Sequence, residues 1–247
     1  MARPADPHAH EALRTAARRE FVKSGILKAR IEDITHACGL SKGAFYLHFD
    51  SKEGLFRELV SEVEAELEEL RTVRERHTQD FLARHGPVKP RDLKPGSAFV
   101  RALQSLHTRE DQKLLELLWR WRDVVDVLLS GSQGTAFDGV MWRIIDREVV
   151  RVQEECEALK AVKLMRDDIP GEAVGLLLVG TYLLVARRLS SLEEKPDFDV
   201  WLTALQKLLA EGTAPRPHTR ATRSSPFAAS PRRAPPRAAR GSRRSHP

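Results

Sequence analysis

Apolar residues recur along this chain at helical spacing from end to end. Leu13, Ala16, Ala17, Phe21 and Val22 mark one face of a helix over residues 8–24, which Gly25 closes. Ile31, Ile34 and Cys38 stand at i, i+3 and i+7 of a second, shorter helix, and Phe45 and Phe49 are i, i+4 neighbours in a third. A long fourth helix carries Leu55, Phe56, Leu59, Val60, Val63, Leu67, Leu70 and Val73, with Glu62, Glu64, Glu66, Glu68 and Glu69 on its solvated side. Its start is expected at Asp50 and Glu53, spaced as in a capping box. Gly86, Pro87, Pro90, Pro95 and Gly96 then concentrate in a loop over 85–96. Beyond it the pattern predicts helices over 97–108, 110–130, 137–163, 172–190 and 198–209, with a break at 130–134. No strand alternation and no repeat of fixed period appears, so the expected fold class is all-α.

The segment Ile31 to Lys52, IEDITHACGLSKGAFYLHFDSK, holds the sharpest local signals. Gly39 suits the left-handed residue that ends a helix, since it has no Cβ to clash. Ser41 can accept a backbone N–H and so start the next helix. In that helix Phe45 points inward with Phe49 and Leu40, leaving Lys42, Tyr46 and His48 for the outer surface. Two short helices joined by so tight a turn form a helix-turn-helix, whose second helix enters the DNA major groove.

Composition changes this picture in one respect. The chain of 247 residues has a formal net charge of +6. No acidic residue follows Glu211, whereas nine arginines do, and without those nine the first 212 residues carry −3. Basicity therefore belongs to the tail, and the case for nucleic acid rests on where residues stand. Residues 212–247, rich in Pro, Ser, Ala and Arg, are expected to be a disordered basic tail, either a tolerated extension or a non-specific phosphate-binding arm. Cys38 and Cys156 have no metal-ligand spacing, and Cys38 reads as core. No metal, cofactor, catalytic constellation or Gly-rich phosphate loop is indicated, so no enzyme is expected. The N-terminus lacks a signal-peptide pattern, and the longest apolar run, 173–186, is shorter than the ~20 residues that span a bilayer. A cytoplasmic protein without membrane association is the expectation.

The run GLSKGAFYLHF from Gly39, with Ser51-Lys52-Glu53 and Leu55-Phe56 after it, resembles the TetR-like (tetracycline-repressor-like) transcriptional regulators. The specific resemblance covers residues 10–56. It implies an N-terminal three-helix helix-turn-helix DNA-binding domain at 8–56 and a helical ligand-binding and dimerisation domain at 57–211. It further implies a recognition helix at 42–48, with phosphate contacts from Tyr46 and Lys52. Lys42, Gly43 and Ala44 would face the groove, Lys42 toward guanine acceptors and Ala44 toward a thymine methyl. Thr35, Ser41 and His48 complete the implied surface, His48 either reaching phosphate or capping its own helix. Arg30 stands where the family usually has Thr or Ser. That substitution removes a side-chain cap, at about 1 kcal/mol, and Arg30 is expected to pair with a phosphate or with Asp33.

The resemblance also implies a homodimer formed by the last two helices, with Leu176, Leu177, Val179, Leu183, Trp201 and Leu205 at the interface. Gly175 and Gly180 would admit the partner helix, although a helix so apolar also suits the centre of a monomer. A pocket for a small apolar or amphipathic ligand is implied, with candidates Phe99, Leu103, Leu118, Trp121, Met141, Trp142 and Ile145, each of which also reads as ordinary core. The function expected is a repressor that a ligand releases from a double-stranded operator. The alternative is a ligand-independent or architectural DNA-binding protein helped by its tail.

Overall fold

A computed structural model describes residues 7–89, 91–94 and 96–213. Nine α-helices follow one another without a strand among the described residues: α1 (Pro7–Lys28), α2 (Ile31–Ala37), α3 (Lys42–Tyr46), α4 (Lys52–His85), α5 (Ala98–Arg120), α6 (Arg122–Asp126), α7 (Val140–Ala161), α8 (Gly171–Ser190) and α9 (Phe198–Thr213). A π-helical turn, Val127–Gly131, prolongs α6. The tail expected to be disordered lies outside the described residues from 214 onward.

Local chemistry explains the N-terminal helices. Gly25 breaks α1 with φ 70°, and its last turn resumes beyond that kink. Gly39 takes φ 70° after α2, as its position predicts. The α4 N-cap is Ser51, whose hydroxyl accepts from Gly54 N at 2.9 Å, one residue beyond the expected Asp50. A hydroxyl one residue from the first helical N–H groups serves them directly, leaving Asp50 exposed.

The two helices expected over 97–108 and 110–130 are otherwise divided. Residues 98–120 form one helix, because no Gly or Pro interrupts them, and the break falls at Trp121. Its cause lies in α1. Arg18 donates from Nε and Nη2 to both carboxylate oxygens of Asp123, at 2.7 and 2.6 Å, and from Nη2 to the Arg120 carbonyl at 2.7 Å. The same guanidinium lies 4.7 Å over the buried Trp121 ring. Three donated hydrogen bonds and a ring face thus hold the α5–α6 junction, satisfying a carbonyl that the ended helix leaves free.

The core does not divide at residue 56. Leu13, Phe21, Phe45 and Phe56 share one buried cluster with Trp121, Val124, Leu128, Phe137 and Met141. Next to it α1 meets the π-helical turn at backbone distance: a Cβ on Gly25 would lie 3.2 Å from the Gly131 carbonyl oxygen.

α8 is long and apolar enough to cross a membrane by length and composition, more than its interrupted sequence suggests. It packs instead on α7. A Cβ on Gly175 would come 2.7 Å from the Val149 carbonyl oxygen, and one on Gly171 3.0 Å from that of Gln153. Gly175 therefore admits a helix of its own chain, which corrects the expectation that it admits a partner; Gly180 has nothing within 4 Å.

Two outcomes follow in urea denaturation. Gly175→Ala should lose about 1–3 kcal/mol through overpacking, whereas Gly180→Ala should gain up to about 1 kcal/mol from helix propensity. Arg18→Met, which keeps the stem and removes the fork, should cost about 2 kcal/mol by stranding Asp123; an unchanged midpoint would show that the junction holds without it.

Candidate nucleic-acid interface

α3, the helix expected to read DNA, is only five residues long, so its ends decide whether it forms. Ser41 accepts from Ala44 N at 3.1 Å, and Leu47 N and His48 N bond the Ala44 and Phe45 carbonyls beyond it. Phe45 is fully buried and packs against Phe49 with tilted rings, centroids 5.6 Å apart, which anchors the inner face. Lys42, Gly43 and Tyr46 are left exposed on the outer face, with Ala44 half-buried between them. Tyr46 is half exposed, and its ring meets Phe45 edge-on at 5.5 Å, which orients the phenol outward.

Electrostatics qualify the expected donors. Lys42 Nζ lies 2.7 Å from Glu32 Oε1, and this hydrogen bond holds the carboxyl below its ordinary range and raises the ammonium. Arg30 is exposed and has no capping role. Its Nε lies 3.9 Å from Glu32 Oε2, so the acid it approaches is Glu32, not Asp33. Glu32 thus neutralises two cations on the surface that would meet phosphate. These groups rim a recess of about 400 Å³ between the end of α1, the start of α2 and the outer face of α3.

Three expected contacts are placed differently. Thr35 is buried, and its hydroxyl donates to the Ile31 and Glu32 carbonyls at 3.0 and 3.1 Å, so it is not available to DNA. Lys52 donates to the Leu27 and Ala29 carbonyls at 2.9 and 2.8 Å, with its side chain 19% exposed. It closes the kinked end of α1, where carbonyls need a donor, before it can serve a phosphate. His48 is half-buried against His10, ring centroids 5.7 Å apart, and His10 Nε2 lies 3.3 Å from Glu58. The helix-turn-helix pattern identifies each of these positions but not the groups that occupy them: carbonyls of α2 for Thr35, carbonyls at the end of α1 and just beyond it for Lys52, and His10 of α1 for His48.

The C-terminal candidates are scattered as well. Phe99 and Leu103 belong to a cluster with Phe81 and Leu106, whereas Trp121 and Met141 lie in the core beneath α1, with Leu118 and Ile145 packed against it. Trp142 is 59% exposed. The candidates thus fall in more than one buried cluster: periodicity reports which face of a helix is apolar, not which neighbour it meets. A polar group that the sequence did not reveal does assemble in this region. Arg74 of α4 bonds Asp111 of α5 at 2.9 Å, Gln206 of α9 donates to the same carboxylate, and His77 lies 2.9 Å from Glu110. Burial pushes His107 beside them down to about 4, keeping it neutral. Arg74 and His77 share a face of α4 and His107, Glu110 and Asp111 a face of α5, but nothing in the sequence pairs the two faces with each other or with Gln206.

Of the expected interface residues, Leu176 and Leu177 are exposed, while Val179, Leu183, Trp201 and Leu205 are half-buried. Leu184, Val200 and Leu208 are more exposed still.

Comparison with known proteins agrees with this architecture. Residues 13–59 match the model for bacterial regulatory proteins of the tetR family. A stretch of 37 residues is 57% identical to the HTH-type transcriptional regulator YerO of Bacillus subtilis, spanning 15% of this chain and 13% of that protein. The whole fold is similar to a TetR-like transcriptional regulator from a Rhodococcus species, with 19% identity over 85% of this chain and 96% of that one, TM-score 0.56. It is likewise similar to a putative fatty acid metabolism regulator of Clostridium perfringens, 18% identical over 81% and 97% of the two chains, TM-score 0.56. At such identities the likeness is one of fold.

Glu32 supplies the sharpest test of this surface. Glu32→Gln should tighten binding to any duplex several-fold and steepen the salt dependence by about one counterion, because it frees Lys42. Fluorescence anisotropy between 50 and 200 mM salt checks this, and an unchanged slope would show that Lys42 does not reach phosphate.

Proposed function

We propose that this chain, a TetR-like regulator by its N-terminal domain, acts as a homodimeric repressor that binds an operator and is released from it by a small ligand. The observation that carries the DNA reading is the capped α3, with Phe45 sunk in the core and Lys42, Gly43 and Tyr46 turned outward. Small residues at 43 and 44 let the helix backbone approach base edges closely, and Tyr46 offers a hydroxyl to phosphate. A five-residue helix reads few bases, so one copy gives little specificity, and two copies related by a two-fold axis read a palindrome.

The apolar face of α8 and α9 supports the dimer. Leu177 and Leu184 stand two turns apart, 62% and 70% exposed, with Leu208 at 71% on α9. Exposed leucines two turns apart on α8, with further exposed apolar residues on α9, suit a second copy. The continuous core supports ligand release: a rearrangement of a body that shares its core with α1 would also act on the helices packed there.

The test begins with genomic fragments selected by the purified protein. The enriched sites should be palindromic, and Lys42→Ala with Tyr46→Ala should weaken binding at least 100-fold. Leu177→Asp with Leu184→Asp should yield monomers in sedimentation and a comparable loss of affinity. Dimers persisting in that variant would place the interface elsewhere, and undiminished binding by the first variant would remove α3 from the interface.

A further inference from the structure

A second recess lies between α4 and α7, outside the DNA-facing surface, with a volume of about 330 Å³. Two stripes with the same i, i+3, i+4, i+7 spacing face each other across it. Its floor is apolar: Val60 from α4, Val140 and Ile144 from α7, and Phe137 from the loop that leads into α7. Its rim is cationic, formed by Arg57, Arg143 and Arg147. Arg147 lies 3.6 Å from Glu64, the acid that also lines the recess. Arg57 and Arg143 have no acidic partner within 4 Å among the described residues; the Arg57 guanidinium instead lies 5.9 Å from the Phe137 ring.

We infer that this recess binds a small hydrophobic carboxylate, its apolar body on Phe137, Val140 and Ile144 and its carboxylate between Arg57 and Arg143. An apolar floor of this size with a few polar groups at its edge is the general form of a small-molecule site. Guanidinium forks match a carboxylate in bidentate geometry, and beside an apolar wall the ion pair is less screened than in open water. Glu64 already claims one of the three arginines, which leaves two cations for one anionic group. The floor also reaches the DNA-reading unit. Phe137 meets Phe56 edge-on at 4.9 Å, and Phe56 meets Phe21 of α1 at 5.3 Å. An occupant would therefore rest on a ring that is itself part of the core holding α1. The inference names the chemical class and place of a ligand, and binding at this site does not depend on the DNA reading.

The probe is 1-naphthoate, titrated into the full chain by its own fluorescence, with neutral 1-naphthamide beside it. Naphthoate should bind in the micromolar to low millimolar range and the amide at least 10-fold more weakly. Arg57→Gln with Arg143→Gln should weaken naphthoate at least 10-fold and leave the amide unchanged, while Arg91→Gln, far along the chain at another surface, should change neither. Circular dichroism establishes that the variants are folded. Equal affinity for the amide, naphthoate binding undiminished in the double variant, or no naphthoate binding at all would each overturn the inference.

Discussion

One guanidinium ties the two halves of this molecule together. Arg18 projects from the middle of α1 into the point where α5 ends and α6 begins, and there it meets a carboxylate, a free helix-terminal carbonyl and an indole face. Ion pairs at such partly buried sites contribute little net stability once desolvation is counted. What the fork supplies is position. Its planar donors accept one orientation of Asp123, so the angle between α1 and the α5–α6 junction has one favoured value. The glycine pair Gly25 and Gly131 adds a second fixed point, where two backbones approach with no side chain between them. α3 is linked to α1 through the buried cluster that Phe45 and Phe49 share with Leu13 and Phe21, and through His10 of α1, whose ring stacks on Phe49 at 4.8 Å.

The same economy governs the end of α1 and the start of α4. Lys52 is an ammonium at the beginning of a helix, where the dipole disfavours it. Its stability there comes from two carbonyls of the α1 terminus, which it reaches across a fold of the chain. A residue that looks from sequence like a phosphate ligand is thus first a clasp, holding the recess beside α3 in shape. Whatever phosphate contact it makes uses the one donor left over.

These placements show which kinds of information a sequence carries. Features set within a few residues were legible: the Gly39 turn, the Ser41 cap, the inward Phe45 and Phe49, and the all-helical pattern. Features set by a neighbour distant in sequence were not. The break at Trp121 comes from Arg18, more than 100 residues earlier, and nothing around Trp121 announces it. Thr35 reads as an exposed polar residue, but it lies on the inner side of α2 and turns its hydroxyl back on its own carbonyls. Gly175 and Gly180 look alike in sequence and differ entirely in surroundings, because only one of them faces α7. The pocket candidates, chosen by residue type, are distributed over different clusters for the same reason: which of them meet depends on how helices cross.

The shared core has a consequence for how a signal can travel. A boundary drawn at residue 56 suggests a DNA-reading head on a separate body, joined by a stiff α4. The cluster that contains Leu13 and Phe21 also contains Val124, Leu128 and Met141, so no layer of solvent or flexible linker separates the two. Close-packed cores shift between discrete arrangements and do not deform continuously. A change in the body then reaches α1 through two routes of different stiffness. The Arg18 fork is directional and resists rotation. The Phe21–Phe56–Phe137 stack has only edge-to-face ring contacts, which tolerate sliding at modest cost. The two contacts therefore constrain α1 unequally: the fork fixes its orientation at the α5–α6 junction, and the rings leave it more freedom where they touch.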